Sequence, residues 1–178
     1  QNDSHVLSLS LPPAGLAVAA FGGDWSDLPA LPSLPERMEP LSLSRWKVEC
    51  REGSSDSWQD ITGQVPCPGN LSIALPHFSG FVRYTACFYV SESEAFRWLD
   101  LGRVGETAQV WINGQELGAR ISLPYAFEAK GLRAGENQLV KTGKSNPVPN
   151  SPAYRERDYF SRFLPLPPSG LLGPIMVG

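Results

Sequence analysis

Residues 107–118 read TAQVWINGQELG. Ala108, Val110 and Ile112 alternate with Gln109 and Trp111, so one face of the run is apolar and the other mixed. Asn113-Gly114 then interrupts the alternation. A two-residue type I′ turn needs positive φ at both central positions, and Asn-Gly meets that need better than almost any other pair. The stretch therefore predicts a tight antiparallel hairpin. The same grammar extends in both directions. Upstream, SRWKVEC (44–50), the loop EGSSDS (52–57), LSIALPHFSGFVRYTACFYV (71–90) and AFRWLDLG (95–102) supply strand runs, the long one broken at Pro76 to Gly80. Downstream, YAFEAKGLRAGENQLVKTG (125–143) reads as a short helical or looped piece. A turn at Gly135-Glu136-Asn137 and a strand follow, with Asn137 taken as tolerating left-handed geometry in that turn. LPPSGLLGPIMV (166–177) closes the series. There Gly170 and Gly173 let the chain change sheet edge before a last strand through Ile175 and Val177. No segment of ten or more residues carries a clear 3.6-residue period. The expectation is an all-β fold, a sandwich or barrel of short antiparallel strands.

Composition narrows the function. The 178 residues are 42% hydrophobic and 19% charged, with 17 Gly and 17 Pro, as suits many turns and short elements. A net charge of -3 and a pI near 5.4 argue against nucleic acid, whose phosphates call for a basic footprint. No apolar run approaches the ~20 residues of a membrane span. Cys50, Cys67 and Cys87 are an odd number, read as thiols, with a Cys50–Cys67 bridge as the alternative. Residues 1–22 read as a β-hairpin, 23–40 as a Pro-rich linker and 41–178 as the main body. The absence of a starting Met and of a basic-then-apolar leader predicts either a removed signal or an excised piece.

The main body resembles a known family. FSGFVRYTACFYV, WLDLGRVGETAQVWINGQELGAR, LPYAFEAKGLRAGENQLV and PSGLLGPIMV occur in that order. The series is similar to the galactose-binding-domain-like jelly-roll β-sandwich of glycoside hydrolase family 2, which related large enzymes such as the family 106 α-L-rhamnosidases share. Phe78, Gly80, Tyr84, Gly102, Trp111, Asn113, Gly114, Gly118, Gly135, Asn137, Gly170 and Gly173 carry the match. The resemblance implies an accessory module whose partner is the catalytic domain of a parent polypeptide, secreted or periplasmic. LSLSLPPAGLAVAAF at the N-terminus looks like the closing strands of a preceding β-domain. Jelly rolls often hold a structural Ca²⁺ in their loops; no ligand pattern here singles one out, and no other cofactor is implied.

Catalysis has little to stand on. Glycoside hydrolysis needs two carboxyl groups ~5–5.5 Å or ~6.5–9.5 Å apart across a sugar. Asp100, Glu106, Glu116, Glu128, Glu136, Glu156 and Asp158 are available, mostly in turns or on solvated faces. His5 and His77 are too few for a metal cluster or a triad, and no GxSxG elbow occurs. Carbohydrate contact fits better, because sugars stack their C–H faces on aromatic rings and bond hydroxyls to polar side chains. Trp25 and Trp58 lie in polar loops and are candidates; Trp46, Trp98 and Trp111 lie in strands and are assigned to core packing. By the resemblance, the Asn-Gly hairpin and the loop 144–168 reach a substrate, which makes Asn113 and Asp158 candidate sugar contacts, with Arg157 and Tyr159 as alternates. A free-standing carbohydrate-binding module is the alternative function. An independent glycosidase ranks below both.

Overall fold

The computed structural model describes residues 23, 34–53, 55–76, 78–93, 95–145 and 168–178. The chain divides into units 1–33 and 34–178, and the description concerns the second. The hairpin expected at 1–22 lies outside the described residues, as does most of the 23–40 stretch.

All strand pairs are antiparallel, and the strands run in length from two residues to the 11 of Gly80–Val90 and Gly135–Ser145. In chain order they are β1 (Glu39–Pro40), β2 (Ser44–Glu52), β3 (Gln59–Asp60), β4 (Gly80–Val90), β5 (Trp98–Asp100), β6 (Arg103–Gly105), β7 (Ala108–Ile112), β8 (Gln115–Arg120), β9 (Ala126–Glu128), β10 (Gly135–Ser145), β11 (Gly170–Gly173) and β12 (Met176–Val177). They form a six-stranded sheet β3-β2-β4-β10-β7-β8, a four-stranded sheet β1-β12-β5-β9 and the pair β11-β6. The expected all-β sandwich is what the chain forms. Alternation explains it: in β4, Val82, Tyr84, Ala86, Phe88 and Val90 are buried while their neighbours face outward. Val48, Val82, Tyr84, Phe88, Val110, Ile112 and Leu139 of the six-stranded sheet join Leu99, Leu101, Phe127, Ile175 and Leu171 in one apolar cluster. Burying each such side chain contributes about 1.5–3 kcal/mol before entropy is charged.

The hairpin at 107–118 forms as its residues dictate. Ile112 opposes Gln115, and Asn113 and Gly114 take φ of 51° and 82°. Two other readings need correction. Leu71–Ala74 is a helical turn rather than a strand, because the Asn70 carboxamide accepts from the Ser72 N–H and caps it. Ala126–Glu128 is a strand rather than a helical or looped piece, because it pairs with Trp98–Asp100. Only tertiary pairing could decide so short a segment.

The closing segment fills the place expected of it, and more centrally than an edge strand would. Met176–Val177 lies between β1 and β5, and the Gly178 carbonyl accepts from the N–H groups of Arg97 and Trp98. Gly170, at φ 90°, opens this passage; a Cβ there would lie 2.5 Å from the Tyr84 hydroxyl and 3.1 Å from Leu71 Cβ. Gly170→Ala is therefore expected to lower stability by about 2–3 kcal/mol, through left-handed strain plus overpacking, read as a lower midpoint in urea unfolding. An unchanged midpoint would refute the tight crossing.

Candidate functional site

Alternation leaves the outer face of the six-stranded sheet with side chains from four adjoining strands. The register places them in rows. Lys47, Thr85, Val140 and Trp111 lie opposite one another across β2, β4, β10 and β7, and Glu116 of β8 faces Trp111. The next row runs Asp60, Glu49, Arg83, Thr142, Gln109. Lys47, Glu49, Arg83, Thr85, Trp111, Val140 and Thr142 of these rows, together with Gln138, line a shallow open groove of about 500 Å³. Trp111 stays with Gln109 on this outer face, half-buried, while Ala108, Val110 and Ile112 enter the core. The expectation that Trp111 packs in the core is thus corrected. Trp98 is buried as expected, and Trp46 packs against the core from a half-buried position.

The charges on this face are tied together. Lys47 Nζ lies 2.9 Å and Arg83 Nη1 3.6 Å from the Glu49 carboxylate. The hydrogen bond to Glu49 holds the Lys47 ammonium above its ordinary pKa. The Thr62 hydroxyl and N–H hold the Asp60 carboxyl below its own. Lys47 and Arg83 are outnumbered by Glu49, Asp60 and Glu116, so the two rows together carry no excess of positive charge. At the far side Gln109 donates to Glu116 at 2.7 Å.

The residues singled out from sequence fall in different places. Asn113 sits at the hairpin tip with its carboxamide fully engaged. Its Nδ2 donates to the Gly131 carbonyl at 2.8 Å and to Asn137 Oδ1 at 2.7 Å, and its Oδ1 accepts from the Gln138 N–H at 2.9 Å. That geometry fixes the turn against β10. Trp58 is half-buried, its ring covered by the Arg83 guanidinium at 4.0 Å and approached by Arg51 at 5.4 Å, which anchors its loop to the sheet. Trp25, Arg157, Asp158 and Tyr159 lie outside the described residues. The groove residues other than Trp111 went unnoticed in the sequence. Each strand's alternation showed which residues share a face, but no local signal tells which strands adjoin.

Elsewhere, the acids considered for catalysis serve the fold or solvent. Asp100 accepts from the Gly102 N–H, Glu128 pairs with Arg97 and Lys130, and Glu136 pairs with Arg45. Glu106 is exposed, and Glu156 and Asp158 lie outside the described residues. All three cysteines are thiols, and burial pushes that of Cys67 up to about 11. Among the described residues no three His, Cys, Asp or Glu side chains gather as metal ligands. No helix among them is long and apolar enough to cross a membrane.

Comparison with known proteins places this sandwich. No family model and no curated protein matches the chain. Among solved structures, the rhamnosidase from Novosphingobium sp. PP1Y aligns over 83% of the chain at 25% identity with a TM-score of 0.57. The chain spans 16% of that enzyme. A β-glucuronidase from Ruminococcus gnavus (17% identity, TM-score 0.51) and a GH2 β-galacturonidase from Eisenbergiella tayi (19%, 0.51) share the fold over 83% and 80% of the chain. The chain spans 31% and 25% of those two. In structure, the chain corresponds to a β-sandwich part of much larger glycosidase chains.

Proposed function

We propose that the chain is a non-catalytic β-sandwich module of a glycoside hydrolase, which supports the catalytic domain of its polypeptide and contacts carbohydrate. The observation that carries this reading is the alignment of 83% of the chain onto only 16% of a rhamnosidase. A fold that matches so small a share of an enzyme supports a role beside the chemistry rather than in it. The engagement of Asp100, Glu128 and Glu136 in turn and ion-pair contacts supports it further. A secreted or periplasmic setting belongs to the same proposal and rests on the glycosidase likeness alone. So does sugar contact by Asp158, Arg157 or Tyr159, which rests on the resemblance of the 144–168 loop.

The 178-residue chain should leave 4-nitrophenyl α-L-rhamnoside, β-D-glucuronide and β-D-galacturonide unhydrolysed, at the rate of a protein-free blank. Release of nitrophenol that disappears in Glu156→Gln or Asp158→Asn would overturn the reading in favour of an independent enzyme.

A further inference from the structure

We propose that the outer face of the six-stranded sheet, centred on Trp111, is a binding groove for the interior of a neutral polysaccharide chain. The proposal deepens the module reading and rests on it for the choice of a sugar polymer. Everything else comes from the groove. A solvated sheet face has no need of an indole ring, and exposing one carries a hydration cost. Trp111, half-buried, is flanked across the sheet by Val140 on one side, with Thr85 beyond it, and by Glu116 on the other. Trp111 and Val140 therefore give the floor an apolar centre of the kind on which the C–H face of a pyranose stacks.

Around that strip stand groups able to bond hydroxyls. The side chains of Thr85, Thr142 and Gln138 have no hydrogen-bond partner among the described residues, in contrast to Gln109, which is held by Glu116. Hydroxyl and carboxamide groups both donate and accept, which is what a sugar hydroxyl requires. Both cations of the face, Lys47 and Arg83, are engaged by Glu49, and Asp60 and Glu116 add further negative charge, which favours a neutral ligand over an acidic one. A uronate polymer would call for cations in excess, which this face does not have. From Lys47 to Trp111 the groove crosses four strands, about 14 Å at the usual ~4.8 Å spacing. It is open along its length, so it suits a run of consecutive sugars better than a single terminal one.

Affinity electrophoresis of the 178-residue chain in gels containing xylan, galactomannan, mixed-linkage β-glucan or arabinogalactan tests this, with polygalacturonate as the acidic arm. Retardation is expected on at least one neutral polymer. Trp111→Ala should weaken it about tenfold or more, the equivalent of about 1.4 kcal/mol, with Gln138→Ala weakening it less. Thermal melts establish that both variants fold; Trp111→Phe, which keeps an aromatic floor, should retain partial binding. Three results would each overturn the groove: no retardation on any neutral polymer, retardation on polygalacturonate alone, or retardation that survives Trp111→Ala. The module reading would stand through all three, since hydrolysis by the isolated chain is what defeats it.

Discussion

Lys141→Met is expected to stabilise the protein by on the order of 4 kcal/mol at pH 7, which makes it a rare single substitution that strengthens a natural core. Lys141 lies on the inner face of β10 and is 1% exposed. Its ammonium stands over the Tyr84 ring at 5.3 Å, in room that exists because residue 143 is glycine; a Cβ on Gly143 would lie 2.8 Å from Nζ. Among the described residues no carboxylate pairs with it. Val82, Tyr84 and Val110 around it carry no charge, and burial lowers its pKa from 10.5 to about 7. Methionine keeps the apolar stem and removes the charge.

The sign follows from proton binding. Between pH 7 and 10.5 the unfolded chain holds this proton and the folded one releases it, so the wild type gains stability as pH rises through that window. Below pH 7 both states are protonated and the deficit is constant. The difference between variant and wild type should therefore shrink by roughly half, about 2 kcal/mol, from pH 7 to pH 9. Urea unfolding of both proteins at the two pH values measures it, and because the comparison is a difference, the titration of Cys50, Cys67 and Tyr125 cancels. A gap that is absent, or that does not close with pH, would mean that Lys141 has a partner.

Asn137→Leu should act in the opposite direction, lowering stability by on the order of 4 kcal/mol. Asn137 is 1% exposed and gathers four hydrogen bonds. Its Oδ1 accepts from Asn113 Nδ2 at 2.7 Å and from the Arg133 N–H at 2.9 Å. Its Nδ2 donates to the carbonyls of Arg133 at 2.7 Å and Gly135 at 3.0 Å. Leucine is close in volume but leaves those groups to find water or go unpaired, at about 1–3 kcal/mol for each that stays buried. Since Asn113 shares the network, Asn113→Ala in the Asn137→Leu background should cost clearly less than in the wild type, as coupled sites do. A double-mutant cycle by chemical denaturation checks this; additive effects would show that the two carboxamides act separately.

Much of the architecture was legible from local chemistry. Asn113-Gly114 specified its turn because few dipeptides accept two positive φ angles. The period of two in FVRYTACFYV and AQVWI separated core from surface within each strand. Other segments were misread where local signals conflict with tertiary pairing. Asn137 was assigned to a left-handed turn, but the positive φ angles belong to Gly131 and Gly135, and Asn137 lies inside β10 as the hub of its network. Ala126–Glu128 became a strand only because Trp98–Asp100 offered it an edge. Lys141 is the sharpest case. By residue type it belongs to the surface, yet strand parity turns it inward.

Residue order alone determined that this chain makes antiparallel strands, where its tightest turn falls and which side chains share a face, because these depend on backbone sterics and on neighbours two residues away. Strand order, by contrast, belongs to the folded whole. The row that sets Trp111 beside Val140, Thr85 and Lys47 joins positions far apart in the chain, and the pocket that holds Lys141 needs Tyr84 from another strand. Neither arrangement exists until the sheets have assembled, since it is the packing of both sheets on one core that selects the pairing.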